Sequence, residues 1–295
     1  MKLAVFNDYR VGVVVGDEVV DVSAVLPELF ERWPIQRINW LIEHWDELGP
    51  QVRAAAEDHA QAHRVADVTL RAASPAPRQL FALPANFHKH LTELGTRSVS
   101  KGRTAREQGF FLKSAGSVIG AGEEIVLPHG SARRFDHECE LAVVIGKSGR
   151  DVPRADAMDL VFGFSTLIDL TMRIEPGEFE EERSMRKSFE SFTPVGPYLV
   201  TAAEVGPLEG LVSRLSVNGE LRQRAPLRDL IVDVPEAIEL ITSVVPVFPG
   251  DVIAMGTPQG VGPVGPGDSV TIGIDDVGQM TLPVRARAAA SPRPY

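Results

Sequence analysis

The sequence predicts an α+β fold dominated by strands, and three observations carry that prediction. Short apolar, partly β-branched runs recur between Gly- and Pro-containing turns along most of the chain. Helical periodicity is confined to a few segments. The regular strand–helix–strand rhythm of a doubly wound parallel sheet is missing, which sets an α+β arrangement above an α/β one.

The first element is a small antiparallel meander. Apolar runs at 3–6, 11–15 and 19–22 are separated by Asn7-Asp8-Tyr9-Arg10 and by Gly16-Asp17, both rich in turn formers. Two helical segments follow. One is 38–48, with Leu41, Ile42 and Trp45 at helical spacing and Gly49-Pro50 as its stop; the other is the Ala-rich 51–63. Trp33, Trp40 and Trp45 fall in this region and are expected to anchor its packing. A Pro/Ala stretch at 72–77 reads as a linker, dividing the chain into a small N-terminal α+β domain, residues 1–72, and a larger domain, residues 78–295. In the larger domain strands are expected at 80–83, 110–113, 141–145, 198–201, 215–217, 252–255 and 269–274, and helices at 155–161 and 235–244. The polar stretches 92–108 and 175–187 have few apolar anchors and are expected to be mobile loops or lids.

Composition narrows the function classes. The 295 residues, 44% hydrophobic and 24% charged, are ordinary values for a chain that buries a sizeable core. A net charge of −10 argues against a nucleic acid partner, which would need clustered Lys and Arg. No apolar run approaches a membrane span, and residues 1–5 lead into a strand rather than a signal peptide. The single cysteine, Cys139, cannot form an internal disulfide and reads as a small core residue. Together these point to the cytoplasm.

Chemistry concentrates around His137-Glu138-Cys139-Glu140-Leu141-Ala142-Val143-Val144-Ile145-Gly146. The run from Leu141 reads as a buried strand, and strand alternation projects Glu138 and Glu140 from one face, with Cys139 on the other. Two carboxylates so close, leading into a core strand, call for positive charge between them, and a hard divalent cation suits oxygen ligands. Asp169, at the end of the apolar stretch 160–168, would complete a set of three. In Ala85-Asn86-Phe87-His88-Lys89-His90-Leu91-Thr92-Glu93, a helix would place His90 and Glu93 on one face, where the carboxylate can orient the imidazole. Lys187 precedes Ser188-Phe189 and a Pro194-Val195-Gly196-Pro197 turn. The glycines of 250–262 can bring backbone N–H groups up to a carboxylate, without the Lys-Ser/Thr ending of a phosphate loop.

Taken in this order, these motifs resemble the fumarylacetoacetate hydrolase family. The E-x-E-L-A-V-V-I-G strand, Asp169 with Arg173 four residues on, K-S-F…P-V-G-P, Val217-Asn218-Gly219 and P-G-D-V-I…G-T-P-Q-G-V-G carry the likeness, over roughly residues 81–284. The resemblance implies a mixed β-roll catalytic domain behind a small N-terminal domain, assembled as a homodimer. It implies Mg or Mn (Ca also suits the ligands) on Glu138, Glu140 and Asp169, and His90 with Glu93 as the water-activating pair. Lys187 would face the substrate and a developing oxyanion, and Arg173, Gly256 and Thr257 would bind the substrate. The chain departs from the family at Ile168, where Asn is usual, at Ile174 and Pro176, where an acid and a Gln are common, and at Phe87, where Tyr is common. The implied reaction is hydrolysis of a C–C bond in a β-diketo acid of the acylpyruvate or fumarylpyruvate type. Two rivals share the site: decarboxylation or keto–enol isomerisation of a 2-oxo acid, and, with less support, hydration of a 2-hydroxydienoate. A non-catalytic metal binder is the reading from a different class.

Overall fold

The computed structural model describes residues 1–59, 61–95, 100–175 and 177–289. Its largest element is an 11-stranded sheet. The main path runs Ala62–Arg64, Glu18–Asp21, Arg10–Val15, Lys2–Phe6, Thr193–Thr201, Val161–Ile168, Cys139–Ile145, Val252–Ala254, Leu80–Ala82 and Phe111–Leu112. A 5-stranded sheet is built from Glu220–Pro226, Val212–Val217, Ser269–Ile274, Gly278–Ala286 and Ile125–Leu127. A 3-stranded one joins Thr171–Met172, Phe135–His137 and Gly262–Pro263. With few helices, this is the strand-dominated α+β architecture expected.

All residues of Cys139–Ile145 are buried, because the strand is covered on both faces. Ala142 and Val144 pack into one apolar cluster with the N-terminal strands and helices. Leu141, Val143 and Ile145 point the other way, into a cluster that includes Ala237, Ile238 and Ile241 of the helix Val234–Thr242. A third cluster, containing Cys139, Ile168 and Leu170, fills the space toward the 5-stranded sheet.

The N-terminal meander extends the large sheet, with Lys2 opposite Val200 and Leu3 opposite Leu199. The stretch expected as a linker is partly buried: Ala73 N donates to Val195 O at 3.0 Å and Ser74 Oγ to Gly250 O at 2.8 Å. Residues on the two sides of 72–78 share a sheet and an apolar cluster.

Local expectations need three corrections. The first helix is Arg37–Glu43 and stops at His44, whose ring stacks on Trp40 with centroids 3.7 Å apart. The second, Trp45–Asp58, runs through Gly49-Pro50 and gives way to the strand Ala62–Arg64. Proline costs a helix one hydrogen bond, but Leu48, Val52 and Ala56, spaced by fours, hold this one to the core. Trp40 and Trp45 pack as expected, Trp45 edge-on to Phe162, whereas Trp33 is 63% exposed.

Candidate active site

Strand pairing brings the ends of neighbouring strands to one place. Cys139 pairs with Ile168, so Glu138 and Asp169 emerge side by side, and Asp169 N donates to Glu138 O at 2.9 Å. On the other flank Ala142 pairs with Ala254, and Met255 N donates to Leu141 O, which sets Gly256 beside Glu140. Leu80–Ala82 runs parallel to Val252–Ala254 and delivers the chain to the helix His88–Leu94.

Glu138, Glu140 and Asp169 are all buried, with one carboxylate oxygen of each within 4.8 Å of the others. Part of the positive charge among them is the protein's own. Lys187 Nζ donates to Glu138 Oε2 at 2.9 Å, Asp169 Oδ2 at 2.6 Å and Thr171 Oγ1 at 2.6 Å. Lys113 Nζ donates to Asp169 Oδ1 and, at 3.1 Å, to Phe192 O. Arg173 links Glu138 at 2.7 Å to Asp136 at 2.8 Å.

These contacts treat the carboxylates unequally. Burial pushes Glu138 up, but Lys187 and Arg173 outweigh it and hold the carboxyl far below the usual range. Burial, then Asp169 and Glu138, push Glu140 well above that range. Glu140 makes no ion pair among the described residues; its hydrogen bond is from Gly256 N at 2.7 Å. Burial also pulls Lys113 down, partly offset by Asp169. A cluster of three hard oxygen donors in which one carboxylate resists ionisation fits a small divalent cation, and three protein ligands leave coordination positions for water or substrate.

Beside this cluster His90 is 4% exposed, and its Nδ1 lies 3.2 Å from Glu93 Oε2. Glu93 is fixed in turn by Gly260 N, 3.0 and 3.2 Å from its two oxygens. Burial raises the Glu93 carboxyl, but the His90 and Gly260 hydrogen bonds bring it below its usual value. His88 is exposed. The glycine-rich segment thus presents N–H groups to carboxylates, as its composition suggested, and those carboxylates are the protein's own. Gly256 has φ +88°, and a Cβ there would lie 2.7 Å from Asn86 Cβ and 3.0 Å from Leu83 O.

His90, Glu138, Glu140, Asp169, Arg173, Lys187 and Thr257 all line one cavity of about 420 Å³. Lys187 has its three ammonium protons on Glu138, Asp169 and Thr171, so it holds the carboxylates together rather than standing free toward a ligand. Arg173 is tied in the same way. Gly256 has its N–H on Glu140, and Thr257 accepts from Gln223 Nε2 at 2.8 Å. Of the unusual residues, Ile168 faces the third apolar cluster, Ile174 lines the cavity, and Pro176 lies outside the described residues.

Sequence reasoning missed three positioning residues. Lys113 looked like the end of a strand. Buried Asn86 ties the approach to His90 down through Val232 O at 2.9 Å, Met255 O at 2.7 Å and Val232 N at 2.8 Å. Buried Gln223 accepts from Cys139 N at 3.0 Å and donates to Pro258 O at 2.8 Å, joining the carboxylate strand to the glycine segment. Within the expected lids, 96–99 lie outside the described residues. Residues 105–108 form a capped helical turn, and Arg106 pairs with Glu236.

The family model for the fumarylacetoacetate (FAA) hydrolase C-terminal domain matches residues 79–285. A maleylpyruvate hydrolase of Aquipseudomonas alcaligenes is 42% identical over 295 residues, covering 97% of this chain and 100% of that protein. The crystal structure of maleylpyruvate hydrolase from Sphingobium sp. SYK-6 in complex with manganese(II) and pyruvate superposes with a TM-score of 0.84 at 38% identity, covering 97% of this chain and 99% of that one. The oxaloacetate tautomerase YisK of Bacillus subtilis is 30% identical over 312 residues, covering 95% of this chain and 99% of that protein. The matched span, these full-length likenesses and the carboxylate cluster agree: this chain belongs to the fumarylacetoacetate hydrolase family.

Proposed function

We propose that this chain is a divalent-metal-dependent hydrolase that cleaves a C–C bond in a β-diketo acid of the acylpyruvate type, such as maleylpyruvate or fumarylpyruvate, with Mg or Mn as the metal. One observation carries the reading: a three-carboxylate cation site and an imidazole held by its own carboxylate meet in one cavity. The full-length likeness to maleylpyruvate hydrolases supports it, and pyruvate, bound in one of them, is the fragment such a cleavage releases.

Glu138, Glu140 and Asp169 would hold a divalent cation, which would supply Lewis acidity for the 2-oxo acid end of the substrate. Glu93 accepts from Nδ1 of His90, which leaves the Nε2 lone pair to take a proton from water as it attacks the distal carbonyl. The C–C electron pair departs on the pyruvate fragment as an enolate, which a proton then quenches. Lys187 and Arg173 keep the carboxylates in place and add positive charge to the wall. Assembly as a homodimer in the cytoplasm belongs to the same proposal, and light scattering reads the assembly.

A second reading, keto–enol isomerisation or decarboxylation of a 2-oxo acid, draws on the likeness to the oxaloacetate tautomerase. Neither of its reactions needs an attacking water, so one pair of variants separates the two. The test is turnover of an acylpyruvate panel with Mn or Mg by the parent, His90→Ala and His88→Ala. Hydrolysis that falls about 10²–10⁴-fold in His90→Ala, with metal retained, and stays within several-fold in His88→Ala supports the hydrolase. Tautomerisation of oxaloacetate that survives His90→Ala, with no acylpyruvate cleaved by the parent, supports the second reading. Silence on every 2-oxo acid would leave a metal binder.

A further inference from the structure

The cavity wall carries more positive charge than the carboxylate cluster engages. Arg173 and Lys187 are committed to Asp136, Glu138 and Asp169. Arg183 and Arg186 line the same cavity, and neither makes an ion pair among the described residues. Arg186 is 3% exposed, and its partners are two neutral oxygens: Nε donates to Glu181 O and Nη1 to Met172 O, both at 3.0 Å. A guanidinium so buried and hydrogen-bonded to carbonyl oxygens rather than to a carboxylate favours an anion nearby.

Arg183 is partly exposed, and its Nη2 donates to Gln108 Oε1 at 3.1 Å, an acceptor that orients the fork without neutralising it. Its guanidinium lies 5.5 Å from the Phe111 ring centroid, and the Lys187 ammonium lies 5.6 Å from the same centroid. The cation that grips Glu138 and Asp169 and the Arg183 guanidinium, which makes no ion pair among the described residues, thus both sit against one aromatic ring. Three further acids line this wall: Glu178 is paired with Arg133 at 2.7 Å, while Glu175 and Glu180 make no ion pair with Arg183 or Arg186 among the described residues. Glu182, next to Arg183, accepts from Ser184 N at 2.6 Å.

We propose that Arg183, oriented by Gln108 and backed by the charge of Arg186, binds a second carboxylate at the far end of the substrate. The site then selects dioxo acids with a carboxylate at each end over acylpyruvates ending in an alkyl group. The guanidinium fork matches a carboxylate in two parallel hydrogen bonds, which a lysine cannot reproduce. This inference deepens the hydrolase reading and rests on it for the substrate's 2-oxo acid end.

Binding tests the inference apart from turnover. Calorimetry on the manganese-loaded protein compares 2-oxoadipate with 2-oxohexanoate, acids of equal length of which only the first has a distal carboxylate. The parent should bind 2-oxoadipate about 10–100-fold more tightly, the range expected for a charge-assisted hydrogen-bond pair. Arg183→Ala should reduce that ratio to near one, and Arg183→Lys should recover only part of it. Equal binding of the two acids by the parent, or an unchanged ratio in Arg183→Ala, would overturn the proposal. In parallel, the kcat/KM ratio for fumarylpyruvate over acetylpyruvate should fall by a similar factor in Arg183→Ala, mainly through KM. A preserved binding ratio in a parent that hydrolyses neither compound would retire the hydrolase reading and leave the arginine assignment standing. Circular dichroism and manganese titration of each variant confirm that the fold and the cation site persist.

Discussion

Glu140 is the carboxylate that the metal-free protein tolerates least, and replacing it by glutamine isolates that cost. Glu138 and Asp169 each touch a cationic side chain, whereas Glu140 is 3% exposed and, among the described residues, accepts from Gly256 N and makes no ion pair. Burial and its two acidic neighbours push its carboxyl well above the usual range, so ionising it opposes folding until a cation arrives. The amide of Glu140→Gln keeps an acceptor for Gly256 and removes the charge. Metal-free Glu140→Gln should therefore melt at or above the parent's temperature. Adding metal at 100 times its Kd stabilises a single-site protein by about 2.7 kcal/mol. For a chain of this size that corresponds to roughly 5 °C in Tm. The parent should show that upward shift with MnCl₂ in scanning calorimetry, and Glu140→Gln should show almost none. A variant that keeps the full metal-induced shift would remove Glu140 from the ligand set. A metal-free variant that melts several degrees lower would refute the argument that its charge is a burden.

Two further outcomes follow from the geometry. Gly256→Ala must place a Cβ 2.7 Å from Asn86 Cβ at φ +88°, so backbone strain of about 1–2 kcal/mol and crowding of about 1–3 kcal/mol should add, and urea unfolding should read a loss in that combined range; parent-like stability would mean the segment relaxes freely. The Arg106 hydrogen bond holds the Glu236 carboxyl below its ordinary value, so this clamp favours the fold above the unfolded carboxylate pKa and is lost as pH falls through the depressed folded value. Hydrogen exchange of residues 100–108 should accelerate below about pH 4, after correction for intrinsic rates, and already be fast at neutral pH in Arg106→Ala. Identical protection in parent and variant would show that the clamp does not hold the segment.

What the sequence made legible was local. Alternation along a strand placed Glu138 and Glu140 together, and three-residue spacing on a helix placed Glu93 against His90. The strand Ser269–Ile274 was read to the residue. Its neighbour Gly278–Ala286 was missed although Met280, Leu282 and Val284 alternate with exposed residues, a period-two signal weakened by its polar partners. Contacts between distant segments left no local trace. Lys113 reaches Asp169 across 56 residues, Asn86 reaches Val232 across 146, and Lys2–Phe6 joins the sheet through Thr193–Thr201. Pro50 misled because the burial of one helix face outweighed a propensity that holds only on average.

The glycine-rich segment carries a consequence for redesign. Gly256 anchors a carboxylate of the cation site and Gly260 anchors the carboxylate behind the imidazole, so five residues of backbone align both halves of the reaction. Gly260 admits no side chain, since a Cβ would sit 2.1 Å from Arg222 O. The wall formed by Ile174, Glu175, Gly177, Glu178, Glu180 and Arg183, by contrast, comes from a different part of the chain and shares none of these anchors among the described residues. Grafting another relative's wall onto this frame should change which acids enter while leaving cation and imidazole in register. Mutational libraries for new specificity are therefore best confined to that wall, with 255–260 held fixed.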